Sequence, residues 1–218
     1  MIPSALRLSI VAAGLATLLV AVAGTTAGWM LARHRFRGRE LVDAMLSLPL
    51  VLPPVVTGYY LIALLGRRGP VGAPLFETTG FTIPFTWVAC VIAASVMSFP
   101  LMFRAARVAF EELDSRHELA AASMGHGPAS IFFQVVLPLA RRGLAGGVVL
   151  AFARALGEFG ATLILAGNVP GRTQTLPLAI YEAVAMGEDR TALLLSLALT
   201  LVAVAVMFAA GRLGRRPS

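Results

Sequence analysis

About five stretches of this chain are apolar for long enough to cross a hydrocarbon layer, and they decide which solvent it folds in. They run from Leu6 to Leu31, Leu41 to Leu65, Pro84 to Phe103, Leu144 to Ala166 and Thr191 to Ala210. Charged residues are only 13% of the 218, against 58% hydrophobic, whereas soluble domains carry about 25% charged residues. So little charge cannot cover a water-facing surface. The expectation is an all-α, multi-pass membrane protein, with residues 1–218 forming a single transmembrane domain whose helices satisfy their own backbone. Gly and Pro within several runs are compatible with this, because neighbouring helices can satisfy the freed backbone groups.

Arginines set the orientation. One cluster, Arg33, Arg35, Arg37 and Arg39, lies between the first two runs. A second, Arg104, Arg107, Arg116, Arg141 and Arg142, lies between the third and fourth, and Arg212, Arg215 and Arg216 follow the fifth. With five spans all three regions fall on one side. The other side holds only Arg7, Arg67, Arg68, Arg172 and Arg190. The positive-inside rule then predicts an outside N-terminus and a cytoplasmic C-terminus, in the cytoplasmic (inner) membrane. The net charge of +7 is read as loop anchoring and not as a nucleic-acid surface. Ala21-Val22-Ala23 resembles a signal-peptidase site, but the apolar run continues to Leu31 and cleavage would leave the Arg33 cluster just behind a translocated end. A retained helix is expected. The single cysteine, Cys90, excludes a disulfide within the chain.

The loop over residues 111–140 reads EELDSRHELAAASMGHGPASIFFQVVLPLA. Ser115 and Glu118 have capping-box spacing. Ala120 to Ala122 favour a short helix with a nearly smooth face. Gly125 or Gly127 can supply a left-handed stop, and Pro128 suits the first turn of the next helix. A small-residue helix carried between two spans can enter a partner's groove, and force on it passes into both spans. It can equally lie at the interface, packed on its own bundle.

In this loop the sequence resembles the ABC-importer permeases. Glu118, Ala120, Ala121 and Gly125, then Val135, Leu137 and Pro138, match the signature E-x-A-A-x-x-x-G-x9-I-x-L-P, with Val135 in place of isoleucine. The resemblance implies a type I importer permease fold, with this loop as the coupling helix seated on cytoplasmic ABC ATPase subunits. The chain has no phosphate-binding G-x-x-x-x-G-K-[ST] motif, so the ATPase would be another polypeptide, and it would be the one to bind ATP and Mg. No cofactor is expected in this chain. Three further stretches are similar to the molybdate branch of that family: LSLPLVLPPVVTGYYL (46–61), MSFPLMFRAAR (97–107) and AFARALGEFGATLILAGNVPGRTQTLPLAIYEA (151–183). They imply molybdate, a dianion, delivered by an extracytoplasmic oxyanion-binding protein. Tungstate is close in size and charge, and sulfate permeases share the signature.

Passage of a dianion asks for hydroxyls, backbone N–H groups or arginines, and is opposed by a bare carboxylate. Pro49, Pro53 and Pro54 interrupt the second run ahead of Thr57, so this region is a candidate pathway or else a kinked packing helix. Met97 to Pro100, with Ser98 and Pro100, is expected to break the third run similarly. Arg154 and Glu158 stand at i, i+4 in the fourth run, where they can pair and offset each other's burial. Gly157 and Gly160 permit close helix contact there. Arg67, Arg68 and Arg172 either draw an anion to the outer mouth or are solvated loop charges. Residues 175–186 are too few to span and read as a re-entrant or outer-face helix.

Two other function classes make different demands on the sequence. An ATP-independent transporter would lack the docking signature and usually shows internal repeats or more intramembrane charge. A membrane enzyme would need clustered His, Cys, Asp or Glu, whereas His34, His117 and His126 lie in loops without ligand spacing. No catalytic or metal-binding residue is expected. About five spans can hardly enclose a path alone, so a second copy of the chain is the expected partner, with membrane lipid around both.

Overall fold

The first apolar run becomes one unbroken helix, α1 (Ile2–Arg33), which passes straight through Ala21-Val22-Ala23. This computed structural model describes residues 2–213, with side chains from 3 to 208. Arg215 and Arg216, and the side chain of Arg212, therefore lie outside the described residues. After α1 come α2 (Arg39–Val51), α3 (Pro54–Leu65), α4 (Gly72–Thr79) and α5 (Trp87–Glu111). Then follow α6 (Arg116–Ser123), α7 (Pro128–Ile131) and a π turn (Phe132–Val136) that leads directly into α8 (Leu137–Leu156). The chain closes with α9 (Gly160–Ala166), α10 (Leu176–Ala185) and α11 (Asp189–Leu213). No strand occurs among the described residues.

Four stretches are long and apolar enough to cross a membrane: Pro3–Arg33, Trp87–Glu111, Pro128–Leu156 and Asp189–Phe208. The fifth is a broken pair, because α2 and α3 meet at 111°. Pro49 lies inside α2, Leu52 is extended at its C-terminus, Pro53 precedes α3, and Pro54 opens it. Consecutive prolines force the preceding residue out of the helical region, so Leu41 to Leu65 cannot be one rod.

Helix ends and apolar runs differ in three places. The helix holding the third run does not end at Phe103 but continues to Glu111, carrying Arg104 and Arg107. Nor does it break at Pro100: α5 is continuous through that proline, as membrane helices tolerate when neighbours pack around the gap. The fourth run, Leu144 to Ala166, is divided between two helices, and the first of them begins ahead of it, in a continuous helical stretch from Pro128 to Leu156. Helix α8 stops at Gly157, and α9 is a separate short helix. The expected segment 175–186 is α10, packed against α11 and α1.

The bundle is organised around α5, which lies between α1 and α8. Its buried face is rich in small residues, among them Ala89, Ala93, Ala94 and Ala106, with Met97, Met102 and Phe103 between them. In lipid there is no hydrophobic force between apolar helices, so association depends on close van der Waals packing. Gly24 and Gly28 of α1 supply that closeness. A β-carbon at Gly28 would stand 2.7 Å from Ala106 Cβ and 2.8 Å from Arg107 N. Gly143 and Gly147 play the same part on α8, against Ala109 and against Ala105 and Met102.

Substituting Gly28→Val should therefore lower stability by about 1–3 kcal/mol through overpacking. Gly14→Val is the control, since a β-carbon there meets nothing within 4 Å. Thermal melts of the two variants in detergent check this: the first midpoint falls and the second stays at the wild-type value.

The arginine-rich regions meet at one end of the bundle. Arg39 pairs with Glu111, Arg107 with Asp43 at 2.7 Å and with Glu111 at 2.9 Å, and Arg104 Nε donates to Ser47 Oγ at 3.1 Å. The opposite end is closed by the 167–175 loop. There Thr173 O accepts from Cys90 Sγ at 3.5 Å, and Leu176 N donates to Ser9 Oγ at 2.7 Å.

Candidate functional site

Helix α6 forms the arginine-rich end of the molecule between α5 and α7. The capping box is not what starts it. Ser115 Oγ makes no cap and its backbone is already helical; Asp114 Oδ1 instead accepts from Arg116 N at 2.9 Å. An aspartate one residue earlier satisfies a different first-turn donor, and the Glu118 carboxylate turns to another partner. That partner is Arg33, at the end of α1.

The end of α6 is a Schellman turn. His126 N donates to Ala121 O at 3.2 Å and Gly125 N to Ala122 O at 3.0 Å, with Gly125 at φ +87°. Gly125, and not Gly127, is the left-handed stop. Pro128 then opens α7 at its first turn, as expected. Further on, Pro138 has no N–H to return to the preceding turn, and the helix widens there into the π turn over Phe132–Val136.

The seven signature positions divide by what they touch. Glu118 turns inward to Arg33 and Ala121 is buried, 3% exposed, against the bundle. Val135 and Leu137 are half-buried, next to the cluster of Val136, Phe110 and Ala140. Ala120, Gly125 and Pro138 are exposed. Beside them stand two large apolar residues that the sequence reading passed over, Leu119 and Met124, 68% and 71% exposed. Apolar side chains in an otherwise polar loop were the signal for them. With Ala120 and Ala122 they form an exposed apolar patch on and just after α6, while Arg116, 89% exposed, puts a charge at the start of that helix.

At the other candidate site, two interruptions meet. Gly58 of α3 lies against Ala161 and Ile164 of α9, and Gly160 lies against Pro54. The break in the second span and the break after α8 are thus packed face to face. The expected close contact belongs to Gly160, while Gly157 approaches only its own helix at Ala153 O. Glu158 sits in the second break, 3% exposed. Its Oε2 is 2.6 Å from Arg154 Nη1, and its Oε1 accepts from Ala161 N at 2.8 Å. The expected pair forms, and it does more than neutralise charge, because the same carboxylate caps α9.

The proposed pathway residues are not all in one place. Pro53 is exposed and Pro54 half-buried at the bend. Thr57 is buried beside them, and its Oγ1 has no hydrogen-bond partner. Pro49 lines an apolar groove of about 280 Å³ with Leu19, Ala23 and Phe99. Ser98 and Pro100 are fully buried in the core, and Ser98 Oγ is satisfied by Ala94 O at 2.7 Å. On the far side of the bend, Arg67 is held over the Phe76 ring at 3.9 Å. Among the described residues no group of three or more His, Cys, Asp or Glu is placed to hold a metal ion.

Comparison with known families matches residues 24–218 to the binding-protein-dependent transport system inner membrane component. The molybdenum transport system permease protein ModB of Escherichia coli K12 is 44% identical over 97% of this chain and 94% of its own length. The putative molybdenum transport system permease protein YvgM of Bacillus subtilis is 42% identical over 85% and 82%. ModB of Mycobacterium tuberculosis is 40% identical over 95% and 78%. Among solved structures, the inward-facing MetNI methionine ABC transporter superposes with a TM-score of 0.72 at 16% identity, covering 98% of this chain and 93% of that one. A bacterial ABC transporter involved in import of the acidic polysaccharide alginate gives 0.78 at 15% identity, covering 99% and 79%. At such identities the structural likeness speaks for the fold alone, which is that of ABC importer permeases.

Proposed function

This chain belongs to the binding-protein-dependent transport system inner membrane components, and from that premise we infer that it is the permease subunit of an ATP-driven importer carrying molybdate across the cytoplasmic membrane. The observation that carries this reading is 44% identity along 97% of the chain to a permease named for molybdenum transport. The subunit is a multi-pass membrane protein and is not itself the ATPase. ATP and Mg are bound by partner ATPase subunits, and an extracytoplasmic binding protein delivers the anion.

The finer assignments follow from the residues. Helix α6 is the coupling helix, and its exposed apolar patch at Leu119, Ala120, Ala122 and Met124 enters a cleft of the ATPase. Glu118, Ala121, Val135 and Leu137 hold that helix on the bundle, while Gly125 and Pro138 shape its ends. The arginine-rich end faces the cytoplasm, which puts the N-terminus outside and the C-terminus inside. Two copies pair, with the path along their two-fold axis and alternating access driven by the ATPases. The two packed interruptions, with Pro53, Pro54 and Thr57 at the bend, border that path. Neutralisation of Glu158 by Arg154 removes a carboxylate that would repel a dianion there.

Substrate identity is tested by uptake of labelled molybdate into proteoliposomes holding the complete complex, with tungstate and sulfate as competitors. Molybdate and tungstate should compete and sulfate should not. A preference for sulfate would sink the assignment.

A further inference from the structure

We propose that Arg33 is a positioning residue that yokes the coupling helix to α1, so that α1 carries displacement of α6 to the opposite end of the bundle. This rests on the reading of α6 as the ATPase-docking element. Covalently, α6 is joined to α5 and α7 through the short segments 112–115 and 124–127, and neither leads to α1. Its non-covalent attachments are more direct. Arg33 and Glu118, 85 residues apart, form an ion pair in which each side chain is less than a third exposed. The Arg33 Nε is buried with no partner of its own, so part of this guanidinium is shielded from water and Glu118 offsets that cost. One turn earlier Trp29 stands edge-on to Phe132, with ring centroids 5.1 Å apart, just beyond α7.

Helix α1 is suited to carry a displacement. It runs for 32 residues, with no proline after Pro3. Gly24 and Gly28 seat it directly on α5, which is also continuous, whereas the α2–α3 and α8–α9 routes are both broken. At its far end, buried Ser9 accepts from the first N–H of α10. From Arg33 to Ser9 the rise is about 36 Å at 1.5 Å per residue. One rod therefore touches the docking helix at one end and the 167–176 closure at the other.

The test uses the assembled complex in proteoliposomes, with anion uptake and ATP hydrolysis measured together. Arg33→Gln keeps most of the stem and removes the charge. It should still assemble with the ATPase and hydrolyse ATP, while ATP consumed per anion imported rises about tenfold. Arg33→Lys should stay near wild type, and the exchange Arg33→Glu with Glu118→Arg should restore most of the coupling lost in either single variant. An unchanged ratio in Arg33→Gln would overturn the proposal. So would uptake and hydrolysis falling in parallel with loss of assembly, which would make the pair a folding contact only. Failure of the exchange to restore coupling would also overturn it. The docking reading fails separately, if Gly125→Asp transports normally.

Discussion

Placing an aspartate at Gly125 is expected to stop anion uptake while leaving the permease folded. The backbone there has φ +87°, and a β-carbon would meet nothing within 4 Å. The cost within the chain is therefore conformational, about 1–2 kcal/mol for an L-residue in the left-handed region, and at the low end for aspartate, which visits it more readily. What the substitution changes is the surface. It sets a carboxylate at the tip of an outward face that otherwise shows Leu119, Ala120, Ala122 and Met124. A charge buried unpaired in an interface costs about 2–5 kcal/mol, so uptake should fall by roughly a hundredfold or more. Gly125→Asn separates the causes: it tolerates the same backbone without the charge and should keep most activity. Uptake at the normal rate by the aspartate variant, measured with the ATPase present, would remove α6 from the docking site.

Arg154→Ala should be the more damaging change to the fold. Glu158 is inside the break between α8 and α9 with its side chain 2% exposed, whereas that of Arg154 is 26% exposed. Removing the arginine strands a buried carboxylate, a loss of about 3–5 kcal/mol. The melting midpoint in detergent should drop by on the order of 10 °C. The reverse change, Glu158→Gln, should be milder, because the Arg154 side chain is 26% exposed and not enclosed, and the amide oxygen can still accept from Ala161 N. Arg154→Ala combined with Glu158→Gln should recover most of the lost midpoint. An Arg154→Ala protein that melts like the wild type would show that the pair does not hold the break together.

Much of the fold was legible because membrane helices leave a strong trace in composition and the arginines mark one end. Arg104 and Arg107 look like loop residues, yet α5 carries them because Ser47, Asp43 and Glu111 satisfy their guanidinium groups. Apolarity alone cannot foresee such partners. Pro100 reads as a breaker, but a missing hydrogen bond is tolerable where close packing holds the helix on both sides. Helix α8 begins ahead of the fourth run because Arg141 and Arg142 lie on exposed positions of a helix that is already continuous. In the candidate site, the Gly125 turn and the Arg154–Glu158 pair followed from local spacing. The partner of Glu118, 85 residues away, did not. The spacings Gly24–Gly28 and Gly143–Gly147 were readable as close-packing motifs and were passed over.

The outward surface of α6 also bears on how a complex of this kind is put together. A permease inserted in the membrane without its ATPase shows Leu119 and Met124 to water on an eight-residue helix, too short to be stable without tertiary support. Until the partner arrives, that apolar tip is open to proteases and to non-specific contacts. On the reading of α6 as the docking helix, assembly with the ATPase would take that apolar surface out of water.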